Sequence, residues 1–123
     1  MLKTILVIED EHSIAELIGY ALEDIGYRVL LALSFDEAVT IWAREKENVD
    51  MVVSDLGAIT EKGNMFCEIF QKRDLILLYM SGLPHEDAPS SIPRQAFIKK
   101  PFRPSELAPL IERAFAEREV LVA

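Results

Sequence analysis

Ile5-Leu6-Val7-Ile8-Glu9-Asp10-Glu11 passes in a single step from an unbroken aliphatic run to three consecutive acids. A short, continuous run of aliphatic and β-branched residues reads as a strand buried on both faces. The form recurs along the chain. Asp55 follows Met51-Val52-Val53-Ser54, and Ser81 follows Leu75-Ile76-Leu77-Leu78-Tyr79-Met80. Lys100, with Pro101 behind it, follows Ala96-Phe97-Ile98-Lys99. Parallel strands end on one edge of their sheet, and ligands of open α/β folds bind at that edge. Glu9, Asp10, Asp55, Ser81 and Lys100 are therefore expected to meet in one crevice.

The segments between the strands set the fold class. Ile14, Leu17, Ile18, Ala21, Leu22 and Ile25 repeat at helical spacing, with Ser13 and Glu16 at capping-box spacing and Gly26 placed to stop the helix. Residues 27–33 read as a second strand. Ser34 and Glu37 form another capping box, opening a helix whose inward face is Ala38, Ile41 and Trp42. Residues 50–54, 75–80 and 96–99 supply three more strands. A loop over 57–64 and a short helix over 64–71, burying Met65, Phe66 and Ile69, separate the third strand from the fourth. Residues 82–95 carry Pro84, Pro89 and Pro93 and little periodicity, so a fourth helix there is expected to be short or irregular. Residues 104–117 form the last helix, with Leu107, Leu110, Ile111, Ala114 and Phe115 inward. Pro109 conflicts with that helix and predicts a kink or a start near Ala108. Alternating strands and helices imply a parallel sheet covered on both faces, doubly wound through right-handed crossovers.

Length and composition fit one α/β domain over residues 1–123. No apolar run is long enough to span a bilayer, and the strand beginning at Lys3 leaves no room for a signal peptide. Cys67 is the lone cysteine, which suits a reducing cytoplasm and reads as a small buried residue. A formal charge of −8 argues against direct binding to nucleic acid. Most of these acids read as ordinary surface charge, and those at strand ends are the exceptions. His12 and His85 have no second His or Cys at ligand spacing.

Two carboxylates ~4 Å apart repel by about 4 kcal/mol at an effective dielectric of 20, so three gathered acids call for a cation. Magnesium suits hard oxygen ligands and a phosphate-bearing substrate. Pro101 restricts Lys100 toward extended backbone, and Phe102 can anchor the turn in the core. An ammonium fixed beside a carboxylate binds phosphoryl oxygens as a point charge. Ser81 can donate a hydrogen bond to the same oxygens.

From Ile5 to about Phe115, these residues in this order resemble the receiver domains of two-component response regulators, a flavodoxin-like family. The signs are Ile5 to Glu11, Asp55, Ser81-Gly82 and Phe97-Ile98-Lys99-Lys100-Pro101-Phe102. The resemblance implies a five-stranded parallel sheet in the order 2-1-3-4-5. It implies that Asp55 accepts a phosphoryl group from a phosphohistidine on a sensor histidine kinase or phosphotransfer protein. Asp10, Asp55 and the Gly57 carbonyl would hold Mg2+, with Glu9 acting mostly through water. Lys100 would neutralise the transferring group. Ser81 and Phe97 would form the switch that reports phosphorylation. The protein would then be a cytoplasmic phosphoacceptor that assists its own phosphorylation and dephosphorylation, rather than an enzyme. It would act through an unknown output protein, with homodimerisation open through the face containing the fourth helix. A stand-alone module, which the initiating Met1 favours, is the leading expectation, and a receiver cut from a larger kinase or regulator is the equal alternative.

The chain departs from the family pattern in three places. Asp55-Leu56-Gly57-Ala58-Ile59-Thr60 lacks the proline usual after the phosphoacceptor, which predicts a more mobile loop and weaker magnesium binding. Gly57 carries no side chain over the site; that position and Leu83 correspond to places that influence phosphoaspartate hydrolysis. Residues 82–95 are poorly helical where the family's fourth helix stands. Apart from these three, Phe97 stands where tyrosine is commoner in the family. The altered loop after Asp55 keeps a second reading open, a pseudo-receiver acting only as an interaction module. A third, a small Mg-dependent phosphohydrolase, is weakened by Gly57, which stands where a general acid would be needed.

Overall fold

The computed structural model describes residues 2–55, 75–81 and 97–122, without the side chains of Tyr79, Ser81, Phe97, Lys99, Pro104 and residues 118–122. The expected loop over 57–64, the helix over 64–71, the irregular stretch 82–95, Gly57, Cys67, Leu83 and His85 all lie outside the described residues.

Within them, β1 (Thr4–Ile8), β2 (Arg28–Ala32), β3 (Val49–Asp55), β4 (Ile76–Ser81) and β5 (Phe97–Lys99) form one sheet. Its order is β2-β1-β3-β4-β5, and every pairing is parallel. Helices α1 (His12–Asp24), α2 (Phe35–Glu45) and α3 (Pro104–Val122) complete the described elements.

Alternation along the strands sorts the core into two layers. Ile5, Val7, Met51, Val53, Leu78 and Met80 face Ile18 and Leu22 of α1 and Leu107, Ile111 and Phe115 of α3. Leu6, Ile8 and Val52 point the other way, into a cluster with Ala32, Ala38, Trp42 and Val49 that carries α2. Both faces of β1 are thus covered, which is why its sequence does not alternate.

One residue breaks the alternation. Thr4 pairs with Val49 but Ile5 pairs with Met51, so Asp50 is an extra residue in the ladder. Its carboxylate accepts a hydrogen bond from the Thr4 N–H at 2.8 Å. The bulge lets Val49 and Val52, three residues apart, share the α2 layer.

The helix ends follow from local chemistry, with corrections. Gly26 stops α1 as expected, at φ 102°. Gly26 N donates to Glu23 O at 3.0 Å and Tyr27 N to Leu22 O at 3.1 Å, the paired bonds of a Schellman turn. The capping box expected from Ser13 and Glu16 does not form. Helix α1 begins two residues earlier than that box requires, at His12, with Glu11 at the N-cap and no side-chain cap. Leu17 and Ile25, expected inward, are 55% and 42% exposed. Gly19 is buried on the packed face of α1, where an added Cβ would lie 3.4 Å from the Leu31 side chain of β2.

Ser34 does cap α2, its hydroxyl accepting from Glu37 N at 3.1 Å. The return arm shifts by one residue: Glu37 accepts from Leu33 N, at 3.3 Å. Helix α3 begins at Pro104, as its sequence reads, and continues through Pro109 rather than restarting near Ala108. Pro104 takes the first helical position, where a missing N–H costs nothing, and Pro109 lies on the exposed side.

These caps can be separated by mutation. Ser34→Ala is expected to lower stability by about 1 kcal/mol in urea unfolding. Ser13→Ala, which removes no cap, is expected to change it by about 0.5 kcal/mol or less. Equal losses would return Ser13 to the capping role.

Candidate functional site

The register of the sheet builds the site. Ile8 pairs with Ser54, so Glu9 falls beside Asp55, one step beyond. Glu9 is two residues past Val7, Asp55 two past Val53, and Lys100 two past Ile98. Val7, Val53 and Ile98 all belong to the layer under α1 and α3. Glu9, Asp55 and Lys100 therefore emerge on one side of the sheet's carboxyl edge. Asp55 pairs with Met80 and Met80 with Ile98, so β4 separates the acid from the lysine. The lysine's four-carbon stem spans that gap.

Lys100 Nζ donates to Glu9 Oε1 at 3.2 Å and Oε2 at 3.0 Å, and to Asp55 Oδ2 at 3.2 Å. The side chains of Glu9, Asp55 and Lys100 are 0%, 12% and 23% exposed, so the anchored end of this group is Glu9. Asp10 is exposed and stands at the open side. Glu9, Asp10 and Asp55 each offer a carboxylate oxygen, and these lie within 4.8 Å of one another. Hard oxygen donors at this spacing fit a hexacoordinate divalent cation that keeps some of its water.

The charges act on each other. Burial pushes the Glu9 carboxyl above its ordinary value, the Lys100 hydrogen bond draws it partly back, and the Asp55 charge raises it again. Burial alone would pull the Lys100 ammonium down. Its bonds to Glu9 and Asp55, with their charges, more than offset this and hold it above the ordinary lysine value.

Four of the expected site residues, Glu9, Asp10, Asp55 and Lys100, are thus brought together. Ser81 ends β4 opposite Lys99, at the carboxyl edge, and Phe97 opens β5 opposite Tyr79, two residues short of that edge. The close Glu9–Lys100 pair is the feature the sequence reading lacked, because it assigned each residue to a ligand. Their shared strand parity was the available signal. Phe102 packs against the α1/α3 layer and anchors the turn after Lys100, across a cis Lys100–Pro101 peptide.

The chain matches the model of the response regulator receiver domain over residues 5–112, and it belongs to that family. It is 31% identical over 120 residues to the transcriptional regulatory protein YvrH of Bacillus subtilis, covering 94% of this chain and 49% of that protein. It is 30% identical over 125 residues to the alkaline phosphatase synthesis transcriptional regulatory protein PhoP of the same organism, covering 98% and 51%. The chain thus spans about half the length of these relatives. A receiver domain protein from Clostridium thermocellum superposes with TM-score 0.81 at 26% identity, covering 98% of this chain and 99% of that one. The chemotaxis response regulator CheY4 of Vibrio cholerae, at 21% identity, 93% and 99% coverage and TM-score 0.74, shares the fold. Among the described residues, no helix is long and apolar enough to cross a membrane.

A carboxyl whose folded pKa is raised contributes stability below its unfolded pKa and loses it as pH rises through the folded value. The Glu9 carboxyl is expected to titrate above the ordinary value of a glutamate side chain, as read by carbon-13 NMR. Wild type should lose stability relative to Glu9→Gln as pH climbs through that titration. Parallel pH profiles for the two proteins would show that Glu9 is not the strained acid.

Proposed function

We propose that this protein is the phosphoacceptor of a two-component phosphorelay and that Asp55 carries the phosphoryl group. The observation that supports this most directly is the setting of Asp55. Its Oδ2 is 3.2 Å from the Lys100 ammonium, and its carboxylate stands with Glu9 and Asp10 in an acid set suited to a divalent cation.

An Asp55 oxygen attacks the phosphorus of a phosphohistidine on a sensor histidine kinase or phosphotransfer protein. The O–P bond forms as the P–N bond breaks, and the imidazole leaves with the electron pair and takes up a proton. Charge builds on the three phosphoryl oxygens, so catalysis is positioning plus electrostatics. Lys100 lies within reach of those oxygens. Asp10 and Asp55, with the Gly57 carbonyl, are assigned to Mg2+, and Glu9 acts mostly through water. Mg2+, when bound, neutralises developing negative charge. Ser81 donates to the new phosphoryl group, and Phe97 follows it as the switch aromatic. The phosphoaspartate adds about −1.5 to −2 charges, enough to bias a surface between two states.

In this reading the protein is a cytoplasmic signalling phosphoacceptor rather than a turnover enzyme. Its relatives are named as transcriptional regulators, so control of transcription is one class of output. A net charge of −8 argues against direct contact of this domain itself with nucleic acid.

Intact-mass measurement after incubation with Mg2+ and acetyl phosphate or phosphoramidate tests the reading. A phosphate adduct is expected in wild type and none in Asp55→Ala. Failure of wild type to form an adduct at saturating donor would leave a pseudo-receiver, and sustained hydrolysis of phosphomonoesters would instead make it a phosphohydrolase.

A further inference from the structure

A cavity of about 350 Å3 lies at the amino edge of the sheet, the pole opposite the acidic cluster, lined by Leu2, Lys3, Gly26, Tyr27, Glu112 and Phe115. Lys3 stands just before β1, and Gly26-Tyr27 just before β2. Glu112 and Phe115 are three residues apart on α3 and so share a face.

The cavity has an aromatic wall and an acid beside it. The Tyr27 and Phe115 rings have centroids 5.8 Å apart and planes tilted by 32°. The Lys3 ammonium lies 4.8 Å from the centroid of the Phe115 ring, so this ring already receives a cation from its own chain. Burial, and then the Glu112 charge, hold the Tyr27 phenol above its ordinary value, so the carboxylate acts on the same wall. Gly26 leaves the turn open: nothing lies within 4 Å of the place a Cβ would take. Leu2, and Ile25 next to Gly26, are exposed large apolar side chains.

Aromatic faces beside a carboxylate suit a guanidinium, which is planar, stacks on rings and pairs with carboxylates. The chain's charge of −8 favours approach of a basic partner. Exposed Leu2 and Ile25 offer apolar contact that a bare cation cannot use, whereas an arginine within a peptide can.

We propose that this cavity is a docking site for an arginine side chain of a partner protein, stacked on Phe115 and Tyr27 and paired with Glu112, with the partner's neighbouring apolar residues against Leu2 and Ile25. Lys3 holds part of the site in the free protein. It is exposed, and its long stem lets the ammonium swing into water as the arginine enters. The surface lies away from the carboxyl edge, so a partner docked here leaves Asp55 open, and the assignment does not depend on the chemistry of that residue.

Two-dimensional NMR titration of the full chain with acetyl-Leu-Arg-Leu-amide tests it, read at the Gly26 and Tyr27 amides. Acetyl-Leu-citrulline-Leu-amide, which lacks the charge, and acetyl-Gly-Arg-Gly-amide, which lacks the apolar flanks, should both bind more weakly. Glu112→Gln should weaken the arginine peptide by roughly 2- to 5-fold, the scale of an exposed ion pair. Lys3→Gln should tighten it by a similar factor, because the competing ammonium is gone. Glu16→Gln changes the net charge equally on α1 and should bind as wild type. All three positions are exposed, so the variants are expected to fold.

Equal weakening in Glu112→Gln and Glu16→Gln would reduce the effect to overall charge and overturn the site. Equal binding of the glycine-flanked peptide would make it a site for small cations and overturn the protein partner. Concentration-dependent shifts of the same amides without peptide would assign the surface to a second copy instead, and no shift at Gly26 and Tyr27 with any peptide would remove the inference altogether.

Discussion

Two carboxylates that a parallel register sets side by side cannot be buried at a sheet's edge without a cation between them. Glu9 and Asp55 are in that position, and Lys100 is the cation the chain supplies. The pair of acids joins β1 to β3, and the lysine reaches them from beyond β5 across the end of β4. One ammonium therefore ties together the ends of three strands distant in sequence. Removing one partner of such a group leaves an uncompensated buried charge, which is strongly destabilising.

The same arrangement supports the reactivity proposed for the site. An ammonium cannot satisfy three acids, and the buried Glu9 carboxyl remains above its ordinary value even with Lys100 in contact. The cluster retains a deficit of positive charge on its open side, beside Asp10. In the proposed function that deficit is what attracts Mg2+, and the phosphoryl oxygens then meet a site whose positive groups are already positioned. Stability and chemistry draw on the same charges.

Much of the site was legible because it follows two periodic rules. Continuous apolar runs identified buried parallel strands, and such strands deliver their final residues to a common edge. Glu9, Asp10, Asp55 and Lys100 follow from that logic. The Schellman stop at Gly26 and the Ser34 cap were also local enough to read, since each depends on neighbours within a few residues. Ser13 misled because capping-box spacing is also compatible with a position inside the helix, and the chain entered the helix two residues sooner. Leu17 and Ile25 misled because helical spacing gives a face but not its width.

The sequence by itself determined the alternating α/β order, the strands that would be buried, and which polar residues would end them. Those are properties of local periodicity and chain direction. Only the tertiary structure decided which of those residues touch. The Asp50 bulge reset the parity of β3, the register put Glu9 beside Asp55, and the span of β4 matched the reach of the Lys100 stem. None of these is encoded within a single segment. Each depends on strands separated by tens of residues being held at fixed spacing by the cores on the two faces of the sheet.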